Sequence, residues 1–172
     1  LVRKPGTIVK EVADMEKMLV RGVTKDTDVA RVSIIGVPNV PGIAYKIFGK
    51  LAAKNVNVDI ILQSVGRDDT KDITFTTTKS HLDDTIEVLE NLDLVAGLKI
   101  LTDTDVAKVS VVGAGMESHP GIAAKMFEAL FEADINIQMI ATSEIKISVL
   151  IDVADADKAV SAVHNAFIPE LS

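Results

Sequence analysis

The sequence predicts an α+β protein in which one antiparallel-sheet unit is used twice. Three observations carry this. Ala30-Arg-Val-Ser-Ile-Ile-Gly36 recurs as Ala107-Lys-Val-Ser-Val-Val-Gly113, and Val40-Pro-Gly-Ile-Ala44 recurs as His119-Pro-Gly-Ile-Ala123. Asn55-Val-Asn-Val-Asp59 then matches Asp134-Ile-Asn-Ile-Gln138, so the register survives through three separate blocks, with two extra loop residues in the second copy. Within each copy the apolar period switches from two to helical spacing and back in the same order.

Each element has its own warrant. Val32 and Ile34, and Val109 and Val111, alternate in β-rich runs that end at Gly36 and Gly113. After each Pro-Gly, Ile43, Ile47 and Leu51 in one copy, and Ile122, Met126 and Leu130 in the other, fall at helical spacing. Proline suits a first helical turn, where its missing N–H has no partner to lose, so both helices are expected to start there. Val56, Val58, Ile60 and Leu62 alternate with Asn57, Asp59 and Gln63, and Ile135, Ile137 and Met139 with Asn136 and Gln138, which predicts a strand with one buried face. Gly66 to Lys71, and Ser143-Glu144, are turn signals leading into strands at Asp72 to Thr78 and Ile145 to Ile151. Leu82, Ile86 and Leu89, then Ala156, Val160, Val163 and Phe167, predict the second helices, and Leu98 to Leu101 closes the first copy.

The order strand, helix, strand, strand, helix, strand is the split βαβ pattern of ferredoxin-like βαββαβ domains, antiparallel sheets with two helices on one face. The second copy ends soon after its second helix, at Ile168 to Ser172, and lacks a last strand. Met18 to Thr24 is the best donor. The expected division is therefore 1–14 as a tail or linker, 26–104 as the first domain, and 15–25 plus 105–172 as the second, with the first inserted in the second. Leu1 in place of Met suggests an excised piece of a longer chain.

Composition narrows function. A net charge of −7 with no basic run argues against a nucleic-acid partner, which needs clustered Lys and Arg. Aromatic residues make up only 3%, so an RNA-stacking sheet is not expected either. No cysteine is present, which removes disulfides, thiolate zinc and a catalytic thiol, and makes the cytoplasm the expected compartment. No apolar run approaches the roughly 20 residues of a membrane helix, so no membrane partner is expected. His119, His81 and His164 lack metal-ligand spacing, and Ser118 stands where a dinucleotide fingerprint after Gly113-Ala-Gly115 needs its third glycine. Ser118 and His119 are adjacent and have no oriented acid, so they read as loop residues and not as a nucleophile and base.

Val37-Pro-Asn-Val-Pro-Gly42 and Met116-Glu-Ser-His-Pro-Gly121 each lead into a helix N-terminus, where unpaired N–H groups and a positive dipole favour a carboxylate. Asn57, Asp59 and Gln63, with Asn136 and Gln138, are expected on the helix-free side of the following strands. There they offer oxygens to an ammonium. Together these features fit a free amino acid; the alternative is that they end loops and line a domain interface.

Val40-Pro-Gly-Ile-Ala44, Asn55 to Gln63, Asp72-Ile-Thr-Phe75, Gly113-Ala-Gly-Met116, Ser118-His-Pro-Gly121 and Thr142-Ser-Glu144 together resemble the ACT family, and more narrowly the C-terminal regulatory region of aspartate kinases. Lys4-Pro-Gly-Thr-Ile8 is similar to the end of the kinase domain in that family. The resemblance implies paired ACT domains that bind threonine or lysine as feedback inhibitors. It places effector contacts on Asn39, Pro41, Gly42, Ile43, Ala44, Asn57, Val58, Asp59 and Gln63, and on Ile122, Ala123, Asn136, Ile137, Thr142 and Ser143. Relatives often carry Asp where this chain has Asn39, which lowers the charge facing an ammonium. The resemblance also implies homodimers through the helix-free sheet faces, with effector sites at the seam, and a catalytic domain or subunit as partner. ATP and Mg would belong to that catalytic part, and this fragment would need no cofactor of its own. No Gly-rich Lys loop that could cradle ATP occurs here, so no catalytic residue is expected. A ligand-free dimerisation module is the alternative function.

Overall fold

A computed structural model describes residues 20–94 and 98–168. In chain order the elements are β1 (Val20–Asp26), β2 (Ala30–Pro38), α1 (Ile43–Ala53), β3 (Val58–Gln63), β4 (Thr70–Thr77), α2 (Leu82–Glu90) and β5 (Lys99–Asp103). They continue with β6 (Val106–Gly113), α3 (Pro120–Glu132), β7 (Met139–Thr142), β8 (Lys146–Asp152) and α4 (Ala156–Phe167), with single 3-10 turns before α2, α3 and α4. Two four-stranded antiparallel sheets result, ordered β3-β4-β2-β5 and β1-β6-β8-β7. Both are the tandem ferredoxin-like arrangement that the periodicity predicts. The chain divides into two compact units, Asp28–Val106 and the stretch from Ala107 joined by residues up to Thr27. In the second sheet β1 fills the place beside β6 that β5 holds beside β2. Met18 and Leu19, and the proposed tail 1–14, lie outside the described residues.

In the first unit, Val32 and Ile34 of β2, Ile47 and Leu51 of α1, and Ile73 and Phe75 of β4 are buried in one cluster. Phe75 meets Phe48 edge to face at 5.4 Å between ring centroids. The second unit repeats this with Val109 and Val111, Met126 and Leu130, Val149 and Ile151, and Val163 from α4. Each such side chain contributes roughly 1.5–3 kcal/mol by leaving water. The helices after the first strand of each unit end by one device. Asn55 and Asp134 adopt φ 57°, Val56 N–H donates to Leu51 O at 3.0 Å, and Ile135 N–H donates to Leu130 O at 2.9 Å. This is the Schellman closure, and both residues of each closure, Val56 with Leu51 and Ile135 with Leu130, are buried in one core cluster.

Four expectations need correction. α1 begins at Ile43, not at Pro41, because Gly42 sits at φ 91° and cannot be the helix's first turn; only α3 has its proline, Pro120, inside the helix start. The period-two alternation of β3 breaks. Val58 pairs Thr77 but Ile61 pairs Phe75, so one extra residue is inserted between them. The N–H of Ile60 at this bulge donates to Thr76 Oγ1 at 3.1 Å instead of to the ladder. Leu62 is therefore exposed, and Gln63, opposite the core residue Ile73, sits on the helix-covered side and not the helix-free one. In the second copy the ladder starts only at Met139; Ile135, whose N–H closes the helix, and Ile137 are outside β7. On α2 the buried residues are Thr85, Val88 and Leu89, and Ile86 lies outside the core cluster. The Thr85 hydroxyl is satisfied by donating to His81 O at 2.7 Å.

Candidate functional site

In the first unit the turn between β2 and α1 is fixed from the β3–β4 hairpin. Gly36, at φ 74°, marks an irregularity in β2, and its N–H donates to Asp72 Oδ1 at 2.9 Å. The Asp72 N–H donates to Ser64 Oγ at 2.9 Å, and the Ser64 N–H returns a bond to Asp72 O at 2.9 Å. Asn39 N–H donates to Asp69 O at 2.8 Å, and the Asn39 carboxamide lies over Gly66, where a Cβ would come within 2.4 Å of Nδ2. Asp68 and Asp69 turn the hairpin with φ 50° and 59°, values that Asp tolerates better than most residues. Beside it a polar cavity of about 480 Å³ is lined by Ser64, Val65, Arg67, Thr70, Lys71 and Asp72.

The helix that follows has a bare N-terminus. Gly42 offers no side-chain cap and the first turn of α1 has no acid. α3 is alike: His119 makes no capping bond, and no acid stands in its first turn. The other two helices differ, with Asp83 and Asp84 opening α2 and Asp157 opening α4. The dipole that other helices of this fold neutralise with their own carboxylates is left open at these two.

The expected effector residues fall into two groups in each copy. Asn39, Pro41, Gly42 and Ala44 are exposed at one end, beside the end of β3 that carries Gln63. Ile43 has its side chain in the core, so it can offer only its main-chain N–H; Ile122 is likewise buried, and its N–H already donates to His119 O at 3.0 Å. Asn57, Val58 and Asp59 lie at the other end, where Asn57 O accepts from Thr77 Oγ1 at 2.6 Å. Thr70 pairs Pro38 and Thr77 pairs Val58, so roughly 23 Å of β4 lies between Asn39 and Val58, and about 13 Å between Val58 and Gln63, which faces Ile73. The second copy divides likewise. Thr142 and Ser143 share an end with Ile122 and Ala123, since Glu144 O accepts from Met116 N at 2.9 Å, while Asn136 and Ile137 precede β7 at the far end. No single small molecule spans either pair of groups within one copy.

The second turn is also the more closed. It is two residues longer and contains the 3-10 turn Met116–Ser118, Met116 is buried, and His119 Nδ1 donates to Gly115 O at 2.7 Å. Ser143 Oγ accepts from the Lys146 N–H at 3.2 Å, so its hydroxyl shapes the β7–β8 turn. Sequence reasoning missed Ser64, Gly66 and Asp72 as parts of the first turn. Their signal was only a Gly inside a polar run and a carboxylate at a strand start, and neither names a partner nearly thirty residues or more away.

Among known proteins, models of the ACT domain match residues 31–94 and 109–167. The fold and its two bare helix starts thus belong to a tandem ACT-domain protein. The regulatory subunit of aspartate kinase from Thermus thermophilus, in a ligand-free crystal structure, is 42% identical, with a TM-score of 0.82 over 87% of this chain and 99% of that one. The aspartate kinase of Synechocystis is 40% identical with a TM-score of 0.79, over 87% of this chain and 27% of that one. An aspartate kinase of Stutzerimonas stutzeri is 45% identical over 166 residues, 95% of this chain. This chain belongs to the aspartate kinase family and corresponds to its regulatory region. It spans 40% of the length of the Stutzerimonas protein.

Proposed function

We propose that this chain is the amino-acid sensor of an aspartate kinase. In this reading it binds threonine, lysine or both, and binding restrains the ATP- and Mg-dependent phosphorylation of L-aspartate by a catalytic domain or subunit. That reaction opens the route to lysine, threonine and methionine. Residues 26–104 are read as one ACT domain inserted within a second made of 15–25 and 105–172.

The observation that carries the reading is the pair of acid-free, uncapped N-termini of α1 and α3 in a fold whose other two helices carry their own acids. Such a terminus favours a carboxylate from outside. The separation of the two residue groups supports a site shared between copies. β3 and β7 are edge strands, and Ile61 and Ile140 are 50% and 43% exposed on them. Antiparallel pairing of two β3 edges about a two-fold axis would set the α1 and Gln63 end of one copy against the Asn57 and Asp59 end of the other. A zwitterion at that seam would meet helix N–H groups with its carboxylate and side-chain oxygens with its ammonium. Because it would bind one arrangement better than another, it could shift a distant catalytic equilibrium.

Calorimetry and thermal melting with threonine and lysine, singly and together, test this. A ligand at a hundred times its Kd stabilises the folded form by about 2.7 kcal/mol. A flat response at millimolar concentrations of both refutes sensing and leaves an assembly module.

A further inference from the structure

α1 and α3 occupy equivalent places in the repeat, yet the faces they turn to solvent are opposite in character. On α1, Tyr45, Lys46, Gly49, Lys50 and Ala53 stand where α3 has Ala124, Lys125, Glu128, the buried Ala129 and Glu132. Lys125 is drawn inward, its Nζ 5.2 Å from the Phe167 ring centroid, which leaves Glu128 and Glu132 to set the sign of the α3 face. Neither these two acids nor Lys46 and Lys50 form a salt bridge among the described residues.

Beside α1 runs a furrow of about 490 Å³. Gly49 and Ala53 line one part of it, Leu92 and Leu94 another, Lys46 and Lys50 give it cationic groups, and Asp93 also borders it. A Cβ on Gly49 would meet nothing within 4 Å, so the furrow is open there. On α3, Phe131 is 81% exposed, a solvated aromatic ring with Glu128 one turn before it and Glu132 next to it. A cationic apolar furrow and an acidic aromatic knob thus occur once each in every chain, and the exposure of Phe131 shows that the knob is not already seated.

We propose that the furrow on α1 receives the Phe131 face of α3 from a second copy of this chain, with Glu128 and Glu132 meeting Lys46 and Lys50. Aromatic anchors in apolar pockets flanked by matched charge are the usual energetic centre of an interface. The charges also select the pairing, because α1 against α1 or α3 against α3 sets like charges together. One contact of this size is smaller than the roughly 1,600 Å² of a standard interface. A two-fold pair makes it twice, since each chain supplies both halves. This surface is separate from the β3 edge, and it stands whether or not the chain senses an amino acid.

Sedimentation velocity of the whole chain across a concentration series tests it, with circular dichroism to confirm folding of each variant. Phe131→Ala, the pair Lys46→Glu and Lys50→Glu, and the pair Glu128→Lys and Glu132→Lys are each expected to weaken association roughly tenfold or more. An equimolar mixture of the two charge-reversed chains is expected to recover it, because both mixed contacts then join opposite charges. Native-like sedimentation of all three variants overturns the proposal, as does a native chain that shows no association. Weakened variants whose mixture does not recover also overturn it, because the furrow's partner is then not a second copy.

Discussion

Ala44→Asp places a carboxylate in the first turn of α1, where α2 and α4 already carry theirs. Ala44 is exposed and its helix has no acid in this turn, so the new side chain meets half a positive charge and no clash from the core. The apo protein should gain about 0.3–1 kcal/mol. For a unit the size of Asp28–Val106 that is a rise of about 2–6 °C in Tm. The effector should suffer the opposite. Its carboxylate would approach the same N–H groups about 5 Å from a like charge, a repulsion of about 3 kcal/mol at an effective dielectric of 20, or roughly a hundredfold in affinity. Calorimetry with threonine and lysine beside thermal melting of the apo chain reads both effects. The opposed signs matter, since a variant that merely misfolds loses both stability and binding. Native-like effector affinity with the apo Tm raised would show that the ligand carboxylate does not use the α1 terminus.

Other perturbations test the architecture around that site. Thr76→Val removes the acceptor for the Ile60 N–H at the β3 bulge and should cost about 1–3 kcal/mol in urea unfolding, with local loss of amide-exchange protection in β3. Ser110 and Ser148 share a buried hydroxyl bond of 2.7 Å, so either single Ala variant should lose about 1–3 kcal/mol and the double variant less than the sum, a coupling that a double-mutant cycle measures. Gly66→Ala drives a methyl into the Asn39 carboxamide, which can swing aside, and to 3.0 Å of the Thr70 main-chain oxygen, which cannot. Stability should fall by about 1–3 kcal/mol while effector affinity changes, as calorimetry would report, and unchanged binding would remove Asn39 from the site.

What could be read in the sequence was what depends on neighbours in the chain. The helical stripe Ile43, Ile47 and Leu51 and its repeat Ile122, Met126 and Leu130 are buried together as their spacing demands. The helix ends are equally local, since Asn55 and Asp134 recur at matching places with an apolar residue after each, but the repeat alone did not mark them as ends. What escaped depends on side chains reaching across the fold. Thr76 takes the N–H of Ile60 and shifts β3 by one residue, which turns Gln63 to the other face; the consecutive apolar residues Ile60, Ile61 and Leu62 already interrupt the alternation, but nothing near them names Thr76 as the partner. Asp72 likewise looks like the polar start of a strand until its carboxylate is found on Gly36.

The repeat explains both the success and the failure. Two copies that fold alike must keep the residues that make the fold, so periodicity aligns them, while the residues that differ are released from that duty. Asn39 over Gly66 has no equivalent at the second turn, where Met116 and His119 close the structure instead. The shared bare helix starts reflect what the domain does in duplicate, and the unequal turns reflect where the two copies have parted. If both copies bind an effector, the first should admit it with less rearrangement, because its turn is held open by Asp72 and Ser64, whereas the second must move a buried methionine or the imidazole bonded to Gly115.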